Sequence, residues 1–238
     1  MVFMKAVIIC GGLGTRLRPY TYTIPKPMLT LGKKPILEYV IRNLKNQDVN
    51  EIYLTVGYLK DQFMDYFGDG SKWGVNIYYK EESEELNTAG SMLDLEDEVY
   101  DTFLVQMGDH ISNIDVNKMF EFHKKQGGIA TIGFKRRGIP LNYGVAEVDD
   151  EMHISSFKEK PILQNLINAG IYIFEPEIFK HIKPKDDFAR NVFPRLMKQG
   201  KKINAYLFDE YWIDIGHIKD YEKLDELISL VELATSFD

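Results

Sequence analysis

The chain has 238 residues, 45% of them apolar, which is long enough for one large core and too apolar for intrinsic disorder. Its 36 acidic and 29 basic side chains leave a formal charge of −7, which excludes a general nucleic-acid surface, so any Lys or Arg that meets phosphate must be placed locally. A single cysteine, Cys10, excludes an internal disulfide and a cysteine-rich zinc site.

The opening MVFMKAVIIC is too short an apolar stretch for a signal peptide, and no run approaches membrane-spanning length, so the expected compartment is the cytoplasm. The Val and Ile of this stretch predict a buried strand that must turn sharply at the glycines after it, with Cys10 in a small packing role. Gly11, Gly12 and Gly14 let backbone N–H groups approach an anion, and Arg16 adds a planar charged fork beside Thr15. A phosphate-bearing ligand fits that turn. It is not a Walker loop, which needs a terminal Gly-Lys-Ser/Thr, nor the dinucleotide fingerprint, because Leu17 stands where the third glycine belongs.

Beyond the turn, residues 35–47 place Ile36, Val40 and Leu44 on one helical face, with Pro35 suited to the first turn. Residues 51–56 read as a strand, 58–67 as a helix, 68–74 as a turn and VNIYYK as a third strand. A helix from Thr88 to about Glu98, a buried strand at 102–107 and a helix at 115–126 follow, the last ending before Gly127-Gly128. The second half is richer in strands: IATIGF, YGVAEVD, HISSFKE and AGIYIFE, with Asp149-Asp150-Glu151 as a turn. Pro176 opens a short helix, another spans about Asp187 to Gln199 with a kink at Pro194, and INAYLF and YWIDI are late strands. A final amphipathic helix at 218–233 aligns Tyr221, Leu224, Leu227 and Ile228. The alternation predicts an α/β fold, a mostly parallel sheet flanked by helices, within one continuous domain over residues 1–238.

Two carboxylates stand out. Asp109 follows the strand LVQM and Gly108, at the carboxyl end of a strand, where ligands of open α/β sheets collect. Asp214 lies in Trp212-Ile213-Asp214-Ile215-Gly216, an apolar strand end where burial penalises a bare charge unless a cation or hydrogen bonds compensate. Both could converge on Mg²⁺, and both could equally be turn or cap residues. The neighbouring His110 and His217 read as rim or helix-start residues, since adjacent strand residues point to opposite faces. Trp73 and Trp212 read as core anchors.

The turn G-G-x-G-T-R-L-x-P, with Lys26-Pro27 after it, resembles the signature of the sugar-1-phosphate nucleotidyltransferases, and the likeness runs from residue 5 to about 222. GDGSKWG, the E-x-L-x-T-A-G segment at 84–90, Tyr143-Gly144, Phe157-x-Glu159-Lys160-Pro161, Asn168-Ala169-Gly170 and W-x-D-I-G fall in the family's order. The resemblance implies a Rossmann-like catalytic domain, without the C-terminal β-helix that many relatives add. It implies that Asp109 and Asp214 hold a catalytic magnesium, and that Arg16 and the amides of Gly11, Gly12, Gly14 and Thr15 hold the triphosphate. By the same likeness Lys26 sits near the phosphates and Lys160 holds the sugar phosphate. Tyr143, Gly144, Glu159 and Asn168 contact the sugar, and Leu86, Asn87, Thr88, Ala89 and Gly90 read the base, largely through backbone groups. Asn87 replaces a glycine common in that segment; Asn tolerates the left-handed conformation and adds a polar group near the base.

The implied partners are a nucleoside triphosphate and a sugar 1-phosphate, with no nucleic acid and no membrane, and a homo-oligomer stays open. The ending D-E-Y-W-I-D-I-G and the F-x-E-K-P segment look most like mannose-1-phosphate and heptose-1-phosphate guanylyltransferases, which favours GTP and a manno-configured sugar. GDGSKWG also occurs in thymidylyl-, uridylyl- and cytidylyltransferases acting on glucose 1-phosphate, the alternative pairing. Two rivals complete the set: a non-catalytic regulatory homologue that binds nucleotide-sugar, and a metal-dependent glycosyltransferase, which would usually carry Asp-x-Asp where this chain has Gly108-Asp109-His110.

Overall fold

The computed structural model describes residues 4–235. The apolar opening run forms β1 (Lys5–Ile9). Two-residue strands β2 (Thr30–Leu31) and β3 (Lys34–Pro35) lead into α1 (Ile36–Lys45). Then come β4 (Glu51–Val56), α2 (Asp61–Phe67), β5 (Asn76–Glu81) and the single turn α3 (Asn87–Gly90). β6 (Phe103–Met107), β7 (His110–Ser112) and α4 (Val116–Gln126) close the first half. The second half contains β8 (Ala130–Pro140), β9 (Val145–Val148), β10 (Ile154–Lys158) and β11 (Ile162–Phe174). α5 (Phe193–Lys198), β12 (Ile203–Phe208), β13 (Trp212–Asp214) and α6 (Ile218–Thr235) end it.

Seven strands make the central sheet in the order β12-β8-β11-β6-β1-β4-β5. The pairs β1/β4, β1/β6, β4/β5 and β8/β12 are parallel, whereas β11 runs antiparallel to both β6 and β8. The expected mostly parallel sheet, covered on both faces, is therefore present. Strand alternation divides the core: Ile8 and Leu104 join one buried cluster with Leu37, Ile41 and Phe120, while Val7 and Val105 join the other with Phe174, Phe188 and Phe193. Each such side chain contributes roughly 1.5–3 kcal/mol by leaving water. Because the chain leaves β1 first for β4 on one side and later returns to β6 on the other, the sheet order reverses at β1, and a crevice opens beyond its carboxyl end.

α1 buries Ile36, Leu37, Val40, Ile41 and Leu44, and α4 is capped by Asp115, whose Oδ1 accepts from the Lys118 N–H at 2.9 Å. Several predicted boundaries move. The helix expected over 88–98 is cut to α3 and one 3₁₀ turn at Leu93–Leu95, because Gly90-Ser91 weakens it and the acids at 94 and 96–98 crowd like charges. α2 starts at Asp61, after Leu59 takes a φ of +55°. The helix expected at 187–199 divides into a π-helical segment, Phe188–Val192, and α5; Pro194 cannot supply the N–H that a continuous ladder needs. β8 and β11 run past their expected ends to form a long exposed arm, with the β9/β10 hairpin between them. In α6, Tyr221 is buried and Leu224 and Ile228 pack on the core, but Leu227 is 58% exposed and off the predicted stripe.

Candidate active site

The glycine turn after β1 is held by its own chemistry. Gly14 takes φ +61°, its carbonyl accepts from the Leu17 N–H and the Thr21 hydroxyl, both at 2.9 Å, and a Cβ there would stand 2.9 Å from the Thr21 methyl. Gly12 faces open space, with no heavy atom within 4 Å of where a Cβ would project. Leu17 is fully buried and anchors the turn, which leaves Arg16 lining a cavity of about 570 Å³ together with Gly12, Thr15, Lys26, Thr88 and Asp109.

The carboxylates arrive from opposite ends of the sequence. Gly108 hydrogen-bonds the carbonyl of Ile9 at 3.0 Å and passes so close to Cys10 that a Cβ would stand 2.6 Å from its Sγ, which explains both small residues. The two-stranded ribbon β7/β13 then pairs His110 with Asp214. Lys26, which is buried, donates to Asp109 Oδ2 and stands 3.7 Å from Asp214 Oδ1. His110 Nε2 lies 3.6 Å from Asp109 Oδ1 and 3.4 Å from Asp214 Oδ1. Its Nδ1 is 2.9 Å from the carbonyl of Ala169, which can only accept, so Nδ1 carries a proton; Trp212 Nε1 donates to the same carbonyl at 2.8 Å.

The charges set the proton affinities. At Asp109 burial works to raise the pKa, but the charges of His110 and Lys26 outweigh it and hold it below the ordinary value. Asp214 is held well below its usual range, first by His110, against the opposing effect of burial, and then by the charges of Lys26 and Arg16. His110 is pushed up, since the two carboxylates overcome the burial that works to lower it. Burial raises the Cys10 thiol well above its ordinary value, consistent with a packing residue.

One ligand atom from each of Asp109, His110 and Asp214 falls within 4.8 Å of the others, a spacing one divalent ion can bridge. Asp214 Oδ1 is buried and accepts no hydrogen bond among the described residues. A carboxylate oxygen that has cations near it but no hydrogen-bond donor, beside a second carboxylate and an imidazole, is a donor set that suits a divalent metal. His110 is thus no rim residue. Asp109 sits in the turn before β7, so strand alternation does not separate it from its neighbour. His217 is exposed at the head of α6, where its carbonyl accepts from the Tyr221 N–H at 3.0 Å.

The base segment departs from expectation in detail. Asn87 does take φ +57°, yet its side chain donates to the carbonyl of Lys185 at 2.9 Å. The N–H groups of Ala89 and Gly90 both bond Asp186 O at 3.0 Å, whereas Asn87 and Thr88 line a small cavity beside the glycine turn. Tyr143, Gly144, Glu159 and Lys160 lie on the exposed arm, and none of them lines the loop cavity. Asn168, at the arm's root, accepts from the Gly170 N–H at 2.9 Å and donates to the Tyr172 hydroxyl at 3.1 Å. Arg190 and Glu85 also line the loop cavity and were not singled out in the sequence; a lone arginine inside the apolar run Phe188 to Phe193 was the available signal for the first.

A sheet whose order reverses at β1, with a glycine turn and a guanidinium at the crevice, is the arrangement of α/β proteins that bind nucleotide phosphates beyond the carboxyl ends of their strands. The chain belongs to the nucleotidyl transferase family, whose model matches residues 5–229. It is 35% identical over 238 residues to a UTP–glucose-1-phosphate uridylyltransferase of Synechocystis, covering 92% of this chain and 61% of that protein. It is 34% identical over 227 residues to mannose-1-phosphate guanylyltransferase 1 of Arabidopsis thaliana, covering 92% of this chain and 63% of that one. Against the D-glycero-alpha-D-manno-heptose 1-phosphate guanylyltransferase of Campylobacter jejuni it is 35% identical over 219 residues, covering 92% and 97%. The chain thus spans about three-fifths of the first two relatives. The crystal structure of HddC from Yersinia pseudotuberculosis superposes with a TM-score of 0.76 at 27% identity, covering 94% of this chain and 99% of that one; HddC has also been solved in complex with GMP-PN.

Proposed function

We propose that the chain transfers a nucleotidyl group from a nucleoside triphosphate to a sugar 1-phosphate and releases pyrophosphate. The observation that carries this is the convergence of Arg16, Lys26 and Asp109 on one cavity beside an open glycine turn, with Asp214 ion-paired to the same lysine. In such a reaction an anionic phosphate oxygen attacks an anionic α-phosphorus in line, so the protein must position and neutralise. The amides of Gly12 to Thr15 and the Arg16 fork would hold the triphosphate, and Arg16 would take up the charge that develops on the departing pyrophosphate. Lys26 supplies a second, desolvated positive charge. The attacking phosphate is ionised at neutral pH and needs no general base. Asp109 and Asp214 would hold Mg²⁺, which would supply charge neutralisation at the phosphates when bound. Closure of the arm would bring Glu159, Lys160 and Tyr143-Gly144 to the sugar, with Asn168 at its hinge.

GTP with mannose 1-phosphate, or a related manno-sugar, is the favoured pair, and Glu82 supports the base. It lies against Gly11, where a Cβ would stand 2.4 Å from its Oε1, and it lines a cavity of about 170 Å³ with Gly12, Asn87 and Thr88. Its Oε1 is buried without a hydrogen-bond partner among the described residues, and burial raises its pKa. An ionised carboxylate accepts only. Guanine offers it two adjacent donors, N1–H and the 2-amino group, whereas uracil and thymine offer one N–H between two repelling carbonyls. UTP with glucose 1-phosphate is the alternative pair, suggested by the Synechocystis relative. Pyrophosphate release from four triphosphates against mannose and glucose 1-phosphates tests both pairs, and no turnover with any combination would overturn the enzyme reading. Glu82→Gln, whose amide can pair with uracil, is expected to shift the UTP/GTP ratio of kcat/KM upward by ~10-fold or more. An unchanged ratio would remove Glu82 from base selection.

A further inference from the structure

A second cavity, of about 640 Å³, lies between the root of the β8 arm, β13 and the first turns of α6. That volume is within the range of small-molecule sites. Gly216 lines both this cavity and the one at the glycine turn. A Cβ added to Gly216 would stand 3.4 Å from Asp214 Oδ2 and 3.5 Å from Arg16 Nη1, and Asp214 itself lines the second cavity, so the two spaces meet at Asp214 and the Gly216 backbone.

The second cavity is basic in an acidic chain. Lys135, Arg136, Arg137 and Lys223 line it, against the two carboxylates Asp214 and Asp220. Lys135 is committed elsewhere, since its Nζ donates to the carbonyls of Asp209 at 2.6 Å and Glu210 at 2.5 Å. Arg136, Arg137 and Lys223, by contrast, form no ion pair or side-chain hydrogen bond among the described residues. These three unpaired cations outnumber the two carboxylates of the concavity, and a bound anion would relieve their mutual repulsion. Two guanidinium forks suit phosphate oxygens, and Leu224 with the outward-facing Leu227 supplies an apolar side for a ring or carbon chain. The overall charge of −7 disfavours a nucleic acid as occupant.

We propose that this cavity binds a phosphate-bearing small molecule at a site separate from the triphosphate and acceptor positions. Its occupancy bears on Asp214 directly and, through the Gly216 backbone, on Arg16. Binding does not depend on the reaction proposed above, so the two readings fail separately. The test titrates the full chain with glycerol 2-phosphate, with glycerol as control, followed by calorimetry and amide chemical shifts.

Wild-type protein and Arg16→Gln are expected to bind the phosphate alike, with shifts near Gly216 and at the head of α6. The triple variant Arg136→Gln/Arg137→Gln/Lys223→Gln is expected to bind it at least ~10-fold more weakly, and Arg137→Gln alone ~3-fold. All three side chains are exposed, so the thermal midpoint serves as the check that the fold is kept. Equal binding by the triple variant overturns the site, and so does loss of binding in Arg16→Gln, which would assign the phosphate to the glycine turn. Displacement of the probe by saturating sugar 1-phosphate would make the cavity part of the acceptor position and overturn its separateness.

Discussion

Lys26 stands between two carboxylates that each have reason to stay ionised, and the balance of this triad decides what the site can hold. Without a cation, two carboxylates this close would raise one another's pKa; with Lys26 and His110 between them, both are lowered. Neutralising either acid removes a metal donor while leaving shape nearly unchanged. Asp109→Asn and Asp214→Asn are therefore expected to lose Mn²⁺ binding by electron paramagnetic resonance and to reduce turnover by roughly 10²–10³-fold or more, with the thermal midpoint close to wild type. Wild-type rates in both variants would remove the metal assignment. At Gly14 the limit is steric: Gly14→Ala must hold φ +61° and press on Thr21 and Lys26, so it is expected to destabilise by about 1–2 kcal/mol in denaturant unfolding.

Among the elements, α4, β8 and β11 meet at a buried polar junction. His123, fully buried, is 2.7 Å from Thr131 Oγ1 through Nδ1 and 3.2 Å from Glu175 Oε1 through Nε2, and Lys124 donates to the same glutamate oxygen at 2.8 Å. Burial lowers the pKa of His123 against the pull of Glu175. Its neutral form is therefore favoured in the folded state, so its contribution is complete above the unfolded value near 6.5 and is lost as pH falls through the lower folded value. His110 is raised and acts in the opposite sense, but it is common to both proteins in a comparison with His123→Gln. The variant is expected to be less stable at pH 7.5 and to show a smaller fall in thermal midpoint between pH 7 and pH 5 than wild type. Equal pH slopes would show that His123 is not the group responsible.

For the molecule as a whole, the contrast is between a sheet packed on both faces and an arm packed on neither. Phe174 is fully buried and its ring stacks on Phe188 with centroids 5.1 Å apart, so Phe174→Ala is expected to cost about 3–5 kcal/mol in denaturant unfolding. The outer arm has ladder hydrogen bonds but little apolar cover: Ile139, Ile154, Phe157 and Ile162 are all exposed. Amides over 136–140 and 162–166 are expected to exchange hydrogen faster than those over 130–133 and 171–174 of the same two strands. Adding GTP, Mg²⁺ and a sugar 1-phosphate should slow that exchange if the arm closes on substrate.

Short-range physics was legible in the chain of letters. The apolar run into three glycines located β1 and its turn, apolar spacing located α1, the Gly127-Gly128 stop closed α4, and Asp109 was marked by its place at a strand end, because each depends on residues a few positions apart. The range of β8 and β11 was not legible, since Arg136, Arg137 and Gly138 carry no apolar alternation and are held in the ladder only by a partner strand. Nor was the place of His110, which the alternation rule misassigned by treating Asp109 and His110 as neighbours on one strand, whereas Asp109 lies in the turn before β7. The meeting of Asp109 with Asp214 is decided by the tertiary structure alone. Those acids are brought together by the register of β7 on β13, and a register between distant segments is set by packing and backbone pairing that no local pattern encodes.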